Sequence, residues 1–140
     1  MQFKFSFEIV KEDKIPLIDV TLTNKDNGRK VSYRALLDSG AFANVFHSDI
    51  AKVLGIDLTT IREQELFKGV EKTKRQMKGK PYIIEIMIIQ KGYSHKFDSY
   101  VIFTDDINED GFPLLGRQCF FDRFKEIAFN YTNNKVYLKA

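Results

Sequence analysis

The sequence predicts an all-β protein of about nine short strands and two short helices. Three observations lead to this fold class. Apolar residues alternate with polar ones in most segments, Gly and Asn residues mark the turns, and helical spacing is confined to two short stretches. The chain has 140 residues, 44% of them hydrophobic, including 13 Phe. That size and apolar content suit one core, so we expect a single domain over residues 1–140.

The amino-terminal part begins as a series of antiparallel strands. Phenylalanines alternate with polar residues over 2–9, and residues 18–22 repeat this pattern, so both segments predict strands with one buried face. A polar loop at 24–28 separates the second strand from a third, expected from about Lys30 into Asp38. The predicted arrangement is a β-meander whose third strand ends at Asp38.

The first helix is predicted after this strand, over residues 48–54. Ser48 suits the position that caps the amino terminus, and Gly55 suits the end of the helix. Beyond it, two strands within 61–89 are expected to flank a basic tip from Gly69 to Lys80. The second of these strands is almost continuously apolar from residue 82, which is typical of a strand buried on both faces.

The carboxyl-terminal part predicts three further strands and the second helix. A strand is expected from about His95 to Phe103, and an apolar segment at 113–116 ends in glycine before a short helix over about 117–124. A hairpin around Asn133-Asn134 completes the chain. An apolar strand followed by glycine and a short helix thus occurs twice, which suggests two similarly built halves.

The segment Asp38-Ser39-Gly40 has the composition of a water-activating site. The apolar run 35–37 would deliver the carboxylate at the end of a buried strand, and the serine hydroxyl would orient it. The glycine would let backbone and substrate approach closely. An ordinary strand that ends in an Asx or Ser turn is the alternative interpretation.

Together with its surroundings, this segment resembles the retropepsin-like aspartic proteases. The resemblance rests on segment 36–41, the helix that ends at Leu54-Gly55, the hairpin near Gly69, and Leu114-Leu115-Gly116-Arg117 followed by Phe120-Phe121. It implies a retropepsin-like acid protease fold, a closed and barrel-like β-meander with two short helices and a flap hairpin. It also implies that the Leu-Leu-Gly segment runs behind the catalytic strand.

The resemblance further implies aspartic endopeptidase activity and a role for each residue of the motif. Asp38 corresponds to the catalytic carboxylate, Ser39 to the hydroxyl that braces two active-site loops, and Gly40 to the cleft floor. Ala41 would line the cleft and bind substrate. Gly69-Val70-Glu71 would form the substrate-binding flap tip, although lysines crowd this tip where the family has mostly glycine.

A single Asp-Ser-Gly segment implies that the active unit contains two chains. Hydrolysis by this chemistry needs one ionised and one protonated carboxyl group within about a hydrogen bond of each other, titrating as a unit. Asp110-Gly111 lies in a polar loop without an apolar lead-in and is interpreted as a turn. A homodimer with twofold symmetry would supply a second Asp38. The terminal strands, near Phe3 and Val136, are candidate interface segments.

Composition and residue spacing argue against several kinds of cofactor and partner. The net charge of +3 is too small to indicate a nucleic-acid or membrane partner, and the basic residues near the predicted tip are interpreted as a solvated hairpin. His47 and His95 are far apart in sequence, so no metal and no other cofactor is expected. The lone Cys119 and an amino terminus unlike a signal peptide indicate a cytoplasmic protein that acts on peptide or protein substrates.

Two other functions stay open from the sequence. One is a dimeric binding or assembly module that keeps the fold without cleaving peptide bonds, which the unusual flap favours slightly. The other is a nucleic-acid-binding β-domain that uses the basic hairpin and the aromatic residues. The intact Asp38-Ser39-Gly40 argues against the first, and the small net charge argues against the second.

Overall fold

The computed structural model describes residues 1–68, 76–107 and 111–140, and strands predominate among them. The strands are β1 (Gln2–Ser6), β2 (Glu8–Val10), β3 (Asp13–Ile15), β4 (Leu17–Thr23), β5 (Lys30–Leu37), β6 (Asn44–His47), β7 (Glu65–Lys68), β8 (Gln76–Gln90), β9 (Tyr93–Thr104), β10 (Leu114–Leu115), β11 (Glu126–Asn130) and β12 (Lys135–Lys139). The helix α1 spans Ser48–Val53, and single 3-10 turns span Leu58–Thr60 and Phe121–Arg123. The predicted all-β fold class is confirmed. No helix among these residues has the length and apolar character needed to cross a bilayer.

Seven strands form the main sheet, in the order β4-β5-β10-β6-β9-β8-β7. Strand β4 also pairs with β8, so the strands from β4 to β8 close into a ring. The long hairpin of β8 and β9 contributes one side of this ring, with Lys80 opposite Phe103 and Gln90 opposite Tyr93. The isoleucines and phenylalanines that point inward from these strands form the core.

The terminal strands form a separate antiparallel sheet, in the order β1-β12-β11. Phe3, Val136 and Leu138 of this sheet are fully buried in the core of their own chain. The interchain contact that the sequence suggests for the terminal strands stays a prediction. Gln90 covers part of the outer edge of β1, since its side-chain amide accepts a hydrogen bond from Lys4 N (2.8 Å) and donates one to Lys4 O (2.5 Å).

The residue that caps α1 lies one position earlier than the sequence predicts. His47 caps it, because the His47 ring accepts a hydrogen bond from Asp49 N at 3.1 Å. Ser48, the predicted cap, is buried and donates a hydrogen bond to the Asp105 carboxylate instead. The tertiary contact with Asp105 decides the orientation of the Ser48 hydroxyl, and the histidine ring takes over the local capping role.

The apolar strand β8 is buried on one face only, so the prediction of two buried faces is wrong. Ile84, Ile86 and Ile88 are fully buried, whereas Ile83 and Ile89 are 62% and 61% exposed. The alternation follows from the pleat of the strand, since no other element covers its outer face among the described residues. Residues 76–80, predicted as part of the tip, belong to β8 as well.

The second predicted helix, over 117–124, is a turn followed by the 3-10 turn Phe121–Arg123. Cys119 adopts a left-handed backbone conformation with φ of 67°, which interrupts regular helical geometry at this point. The hairpin near the carboxyl terminus agrees with its prediction. It joins β11 to β12 through a turn in which Asn134 has φ of 55°.

Candidate active site

The Asp-Ser-Gly segment follows β5 directly, and β10 fixes its position. The two strands run parallel, with Leu36 opposite Leu114 and Leu37 opposite Leu115. The pairing continues into the motif, because Asp38 N donates a hydrogen bond to Leu115 O at 3.0 Å. The two glycine-terminated apolar segments seen in the sequence therefore lie side by side at one end of the main sheet.

Asp38 closes a tight turn with its own side chain. Asp38 Oδ1 accepts a hydrogen bond from Gly40 N at 2.9 Å, and Asp38 O accepts one from Ala41 N at 3.1 Å. These bonds hold the carboxylate at the mouth of the loop while leaving lone pairs of Oδ2 for a water molecule or a second carboxyl group. A Cβ atom at Gly40 would lie 3.2 Å from Asp38 Oδ1, so a side chain at this position would crowd the carboxylate.

The surface of this loop is open in the single chain. Ser39 and Gly40 are exposed, and the Phe42 side chain is 65% exposed although it is large and apolar. Ala41 and Ala43 on either side of Phe42 are buried. The loop thus presents a hydroxyl and an aromatic ring to solvent while its alternate residues anchor it in the core.

A buried polar network joins this loop to the one that follows β10. The side chain of Asn44 is fully buried, and its Oδ1 accepts a hydrogen bond from Gly116 N at 2.8 Å. Asn44 Nδ2 donates to Ser99 Oγ at 2.7 Å, and Ser99 Oγ donates to Cys119 O at 2.7 Å. Because a satisfied buried network defines one arrangement of its backbone segments, Asn44 positions the site without belonging to its chemistry.

The two loops also contact each other backbone to backbone. Arg117 N donates to Ala41 O at 3.0 Å, and Gln118 N donates to Phe42 O at 2.9 Å. A Cβ atom at Gly116 would lie only 2.5 Å from Ala43 O, which is closer than real Cβ contacts allow. Glycine is therefore required at position 116 for the loop of Asp38 to sit where it does.

A cleft with a cavity volume of about 510 Å³ lies beside this loop. Residues 40–43 and Val45 line one side, and the arms of the β7–β8 hairpin line another through Glu65, Leu66, Phe67 and Met77. Tyr100 and Ile102 of β9 form a further wall. Gly40 and Ala41 thus line this cleft, and their roles towards substrate stay predictions, whereas Gly69, Val70 and Glu71 lie outside the described residues.

A hydrogen-bonded pair of ionisable groups joins two walls of the cleft. Tyr100 Oη donates to Glu65 Oε1 at 2.5 Å, which links β9 to β7 across the cleft. Burial, followed by the hydrogen bond and the negative charge of Glu65, raises the pKa of Tyr100 to about 12. Tyr100 therefore stays protonated, and remains a hydrogen-bond donor, over the whole range in which hydrolytic enzymes work.

The raised pKa of Tyr100 predicts a loss of stability at high pH. The folded state keeps this proton where an unfolded tyrosine, with a pKa of about 10, loses it. The contribution is fully present below pH 10 and disappears as the pH rises towards 12. Between about pH 9 and pH 11.5, the melting temperature should fall further in wild type than in Tyr100→Phe. In Tyr93→Phe, which changes an exposed ring, it should fall as in wild type; equal slopes for wild type and Tyr100→Phe would contradict the assignment.

Both histidines have structural roles that their sequence context leaves open. His47 caps α1, and His95 packs against Phe97 and Phe124 while its Nε2 lies 2.9 Å from Arg123 O. In the described parts of the chain, no group of three His, Cys, Asp or Glu side chains is arranged to hold a metal ion.

The fold agrees with that of solved retropepsin-like aspartic proteases. The structure of one such protease from Rickettsia conorii superposes with a TM-score of 0.66, over 99% of this chain and 89% of that one, at 16% sequence identity. The chain therefore has the retropepsin-like fold, as the sequence motifs predict. At 16% identity this match shows the fold alone.

Two further solved structures match with lower scores. The retroviral protease-like domain of Ddi1 from Leishmania major matches 90% of this chain and 94% of its own, with 16% identity and a TM-score of 0.47. An EIAV protease complexed with an inhibitor matches 75% and 84%, with 16% identity and a TM-score of 0.39. Neither a protein-family model nor a curated protein sequence matches the chain.

Three residues of this region escape prediction from the sequence. Asn44 stands at the start of an apolar run, and a polar residue in that position is the one signal of a buried network that the sequence offers. Glu65 and Tyr100 are 35 positions apart. Only the folding of the β7–β8 hairpin beside β9 brings them into contact, and no local pattern reveals it.

Proposed function

We propose that this chain is an aspartic endopeptidase that hydrolyses peptide bonds as a homodimer, with Asp38 as its catalytic carboxylate. The observation that carries the proposal is the placement of Asp38 at the junction of the parallel strands β5 and β10, in a loop that lines a large cleft. The fold shared with the Rickettsia conorii protease supports it.

The chemistry of the site requires a second carboxyl group. One Asp38 carboxylate takes a proton from the attacking water, and a protonated partner donates a hydrogen bond to the scissile carbonyl oxygen. As the tetrahedral intermediate collapses, a proton passes to the leaving nitrogen. Two carboxyl groups at hydrogen-bond distance share a single proton, since repulsion prevents both from ionising together.

We assign the second carboxyl group to Asp38 of a twofold-related copy. A symmetry axis beside the loop would place Asp38 next to its own copy and would cover the exposed Ser39, Gly40 and Phe42. An exposed Phe next to a carboxylate motif suits a surface that is buried on association. In this arrangement the Ser39 hydroxyl is available to bond the partner's loop and brace the two sites against each other.

The β7–β8 hairpin is proposed to act as a flap. Its arms already line the cleft opposite residues 40–43, through Leu66, Phe67 and Met77. Gly69, Val70 and Glu71, which lie between the arms in sequence, are proposed from the resemblance to bind the substrate. The apolar lining of the cleft suits the side chains of an extended peptide.

The test is cleavage of a denatured protein mixture by the purified chain, followed by mass spectrometry of the new termini over a range of pH. We expect endoproteolytic fragments, inhibition by a statine-type transition-state mimic, and a specific activity that rises with protein concentration as the dimer forms. A pure dimer that binds peptides without producing new termini would contradict the proposal and favour a binding or assembly module.

A further inference from the structure

The part of the cleft around Glu65 and Tyr100, which we call its acidic end, differs from the mostly apolar remainder of the lining. Glu65 and Tyr100 are joined at this end, while alanines, Leu66, Ile102 and Leu114 supply much of the remaining wall. Both members of the pair are partly buried. A carboxylate in such surroundings loses part of its hydration, so an arriving cation would be bound more strongly than at an open surface.

The hydrogen bond from Tyr100 prepares Glu65 to receive a cation. The tyrosine hydroxyl fixes the position of Glu65 Oε1, while Oε2 retains its lone pairs. In the parts of the chain that the structure describes, no Lys or Arg forms an ion pair with Glu65. The nearby Glu63, which also contributes to the raised pKa of Tyr100, adds negative charge to this end of the cleft.

We infer that this end of the cleft is a subsite for a basic side chain of the substrate, with Glu65 as the residue that determines specificity. The inference rests on the proposed function, because it concerns the peptide that the Asp38 dimer would cleave. It assigns to the enzyme a substrate class: polypeptide segments that carry Arg or Lys close to the scissile bond.

The shape of the cleft fits a long basic side chain better than a short polar one. The methylene groups of Arg or Lys can lie along the apolar wall while the charged group reaches Glu65. A guanidinium group can also bind both a carboxylate oxygen and a neighbouring acceptor, because its donors form a planar fork. An acidic side chain would meet the negative charge of Glu65 and Glu63, and an aliphatic one would desolvate Glu65 Oε2 without giving it a hydrogen-bond donor.

Peptides that differ only in one charge provide the test. A cleavable peptide with Arg beside the scissile bond is compared with the same peptide containing citrulline, a neutral side chain of nearly equal shape. At about pH 6, where ordinary carboxyl groups are ionised, wild type should cleave the Arg peptide with a kcat/KM about ten- to a hundredfold higher, as expected for a hydrogen-bonded charge pair. The ratio should fall close to one in Glu65→Gln, whose amide oxygen can still accept the bond from Tyr100.

Glu63→Gln is the matched control, since it removes the same charge from an exposed neighbour. It should keep the preference for Arg if Glu65 recognises the cation directly. Loss of the preference in both variants to the same degree would indicate a diffuse potential and would overturn the inference. Equal cleavage of the Arg and citrulline peptides by wild type would overturn it as well, while leaving proteolysis established.

A binding measurement separates this inference from the proposed function. Fluorescence anisotropy of the two labelled peptides with Asp38→Asn protein should show tighter binding of the Arg peptide by a similar factor, and Glu65→Gln in the same background should abolish the difference. Selective binding of Arg without cleavage by wild type would uphold the subsite and contradict proteolysis. Absence of both binding and cleavage would contradict both.

Discussion

Asp38→Asn should abolish peptide hydrolysis, lowering kcat/KM by at least about a thousandfold, without unfolding the protein. The amide cannot serve as a general base or share the proton that the paired carboxyl groups need. Its oxygen can still accept the hydrogen bond from Gly40 N that closes the turn. The variant should therefore have a melting temperature within a few degrees of the wild-type value, measured by circular dichroism, and should dimerise equally well in analytical ultracentrifugation.

Asp13→Asn is the matched control for this substitution. Asp13 is an exposed residue of β3, and the same change of charge there should leave both kcat/KM and the melting temperature unaltered. Hydrolysis that persists in carefully purified Asp38→Asn protein would remove Asp38 from the mechanism. Loss of the fold in that variant would instead assign the residue a structural role.

Gly116→Ala should destabilise the fold by about 3 kcal/mol, at the upper end of the cost that is typical when a methyl group is forced into a packed region. The new Cβ would lie 2.5 Å from Ala43 O and 2.9 Å from Ala41 O. Backbone atoms cannot move aside as the end of a flexible side chain can. The loops that follow β5 and β10 would have to separate, which would also break the buried hydrogen bond from Gly116 N to Asn44 Oδ1.

Urea unfolding measures this effect. Circular dichroism is the suitable signal, because the chain contains no Trp whose fluorescence could report unfolding. Arg117→Ala, one residue further on and exposed, provides the control and should change the free energy of unfolding by less than about 0.5 kcal/mol. A comparably small change in Gly116→Ala would show that the two loops are not packed backbone to backbone.

Many of the strands can be predicted from the sequence, because apolar and polar residues alternate along a strand that has one buried face. Residues 18–22 alternate as expected, and the segment from Lys30 to Leu37 ends at the motif where the apolar run ends. The pattern is less informative where almost every residue is apolar. Along the apolar part of β8, Glu85 alone marks the outer face that it shares with the exposed Ile83, and the packing of the ring buries Ile84 on the other face.

Some parts of the candidate site depend on neighbouring residues and can be predicted from the sequence, whereas others depend on contacts between distant segments. The turn of Asp38 and Gly40 is a local structure, and the residues that form it are adjacent in the sequence. The pairing of Leu115 with this loop depends on parallel strands nearly 80 residues apart, a contact that the repeated apolar segments suggest without determining it. Glu65 and Tyr100 are far apart in the sequence and come into contact only in the folded chain, so no local sequence pattern indicates the acidic end of the cleft.

Mixing wild-type chains with Asp38→Asn chains tests the central claim most directly. If each active site needs an Asp38 from both chains, only dimers of two wild-type chains cleave peptides. After equimolar mixing and re-equilibration at a concentration that maintains the dimer, the activity per mole of total chain should be about a quarter of that of pure wild type. An activity of about one half would mean that each chain works alone, and would contradict the shared site.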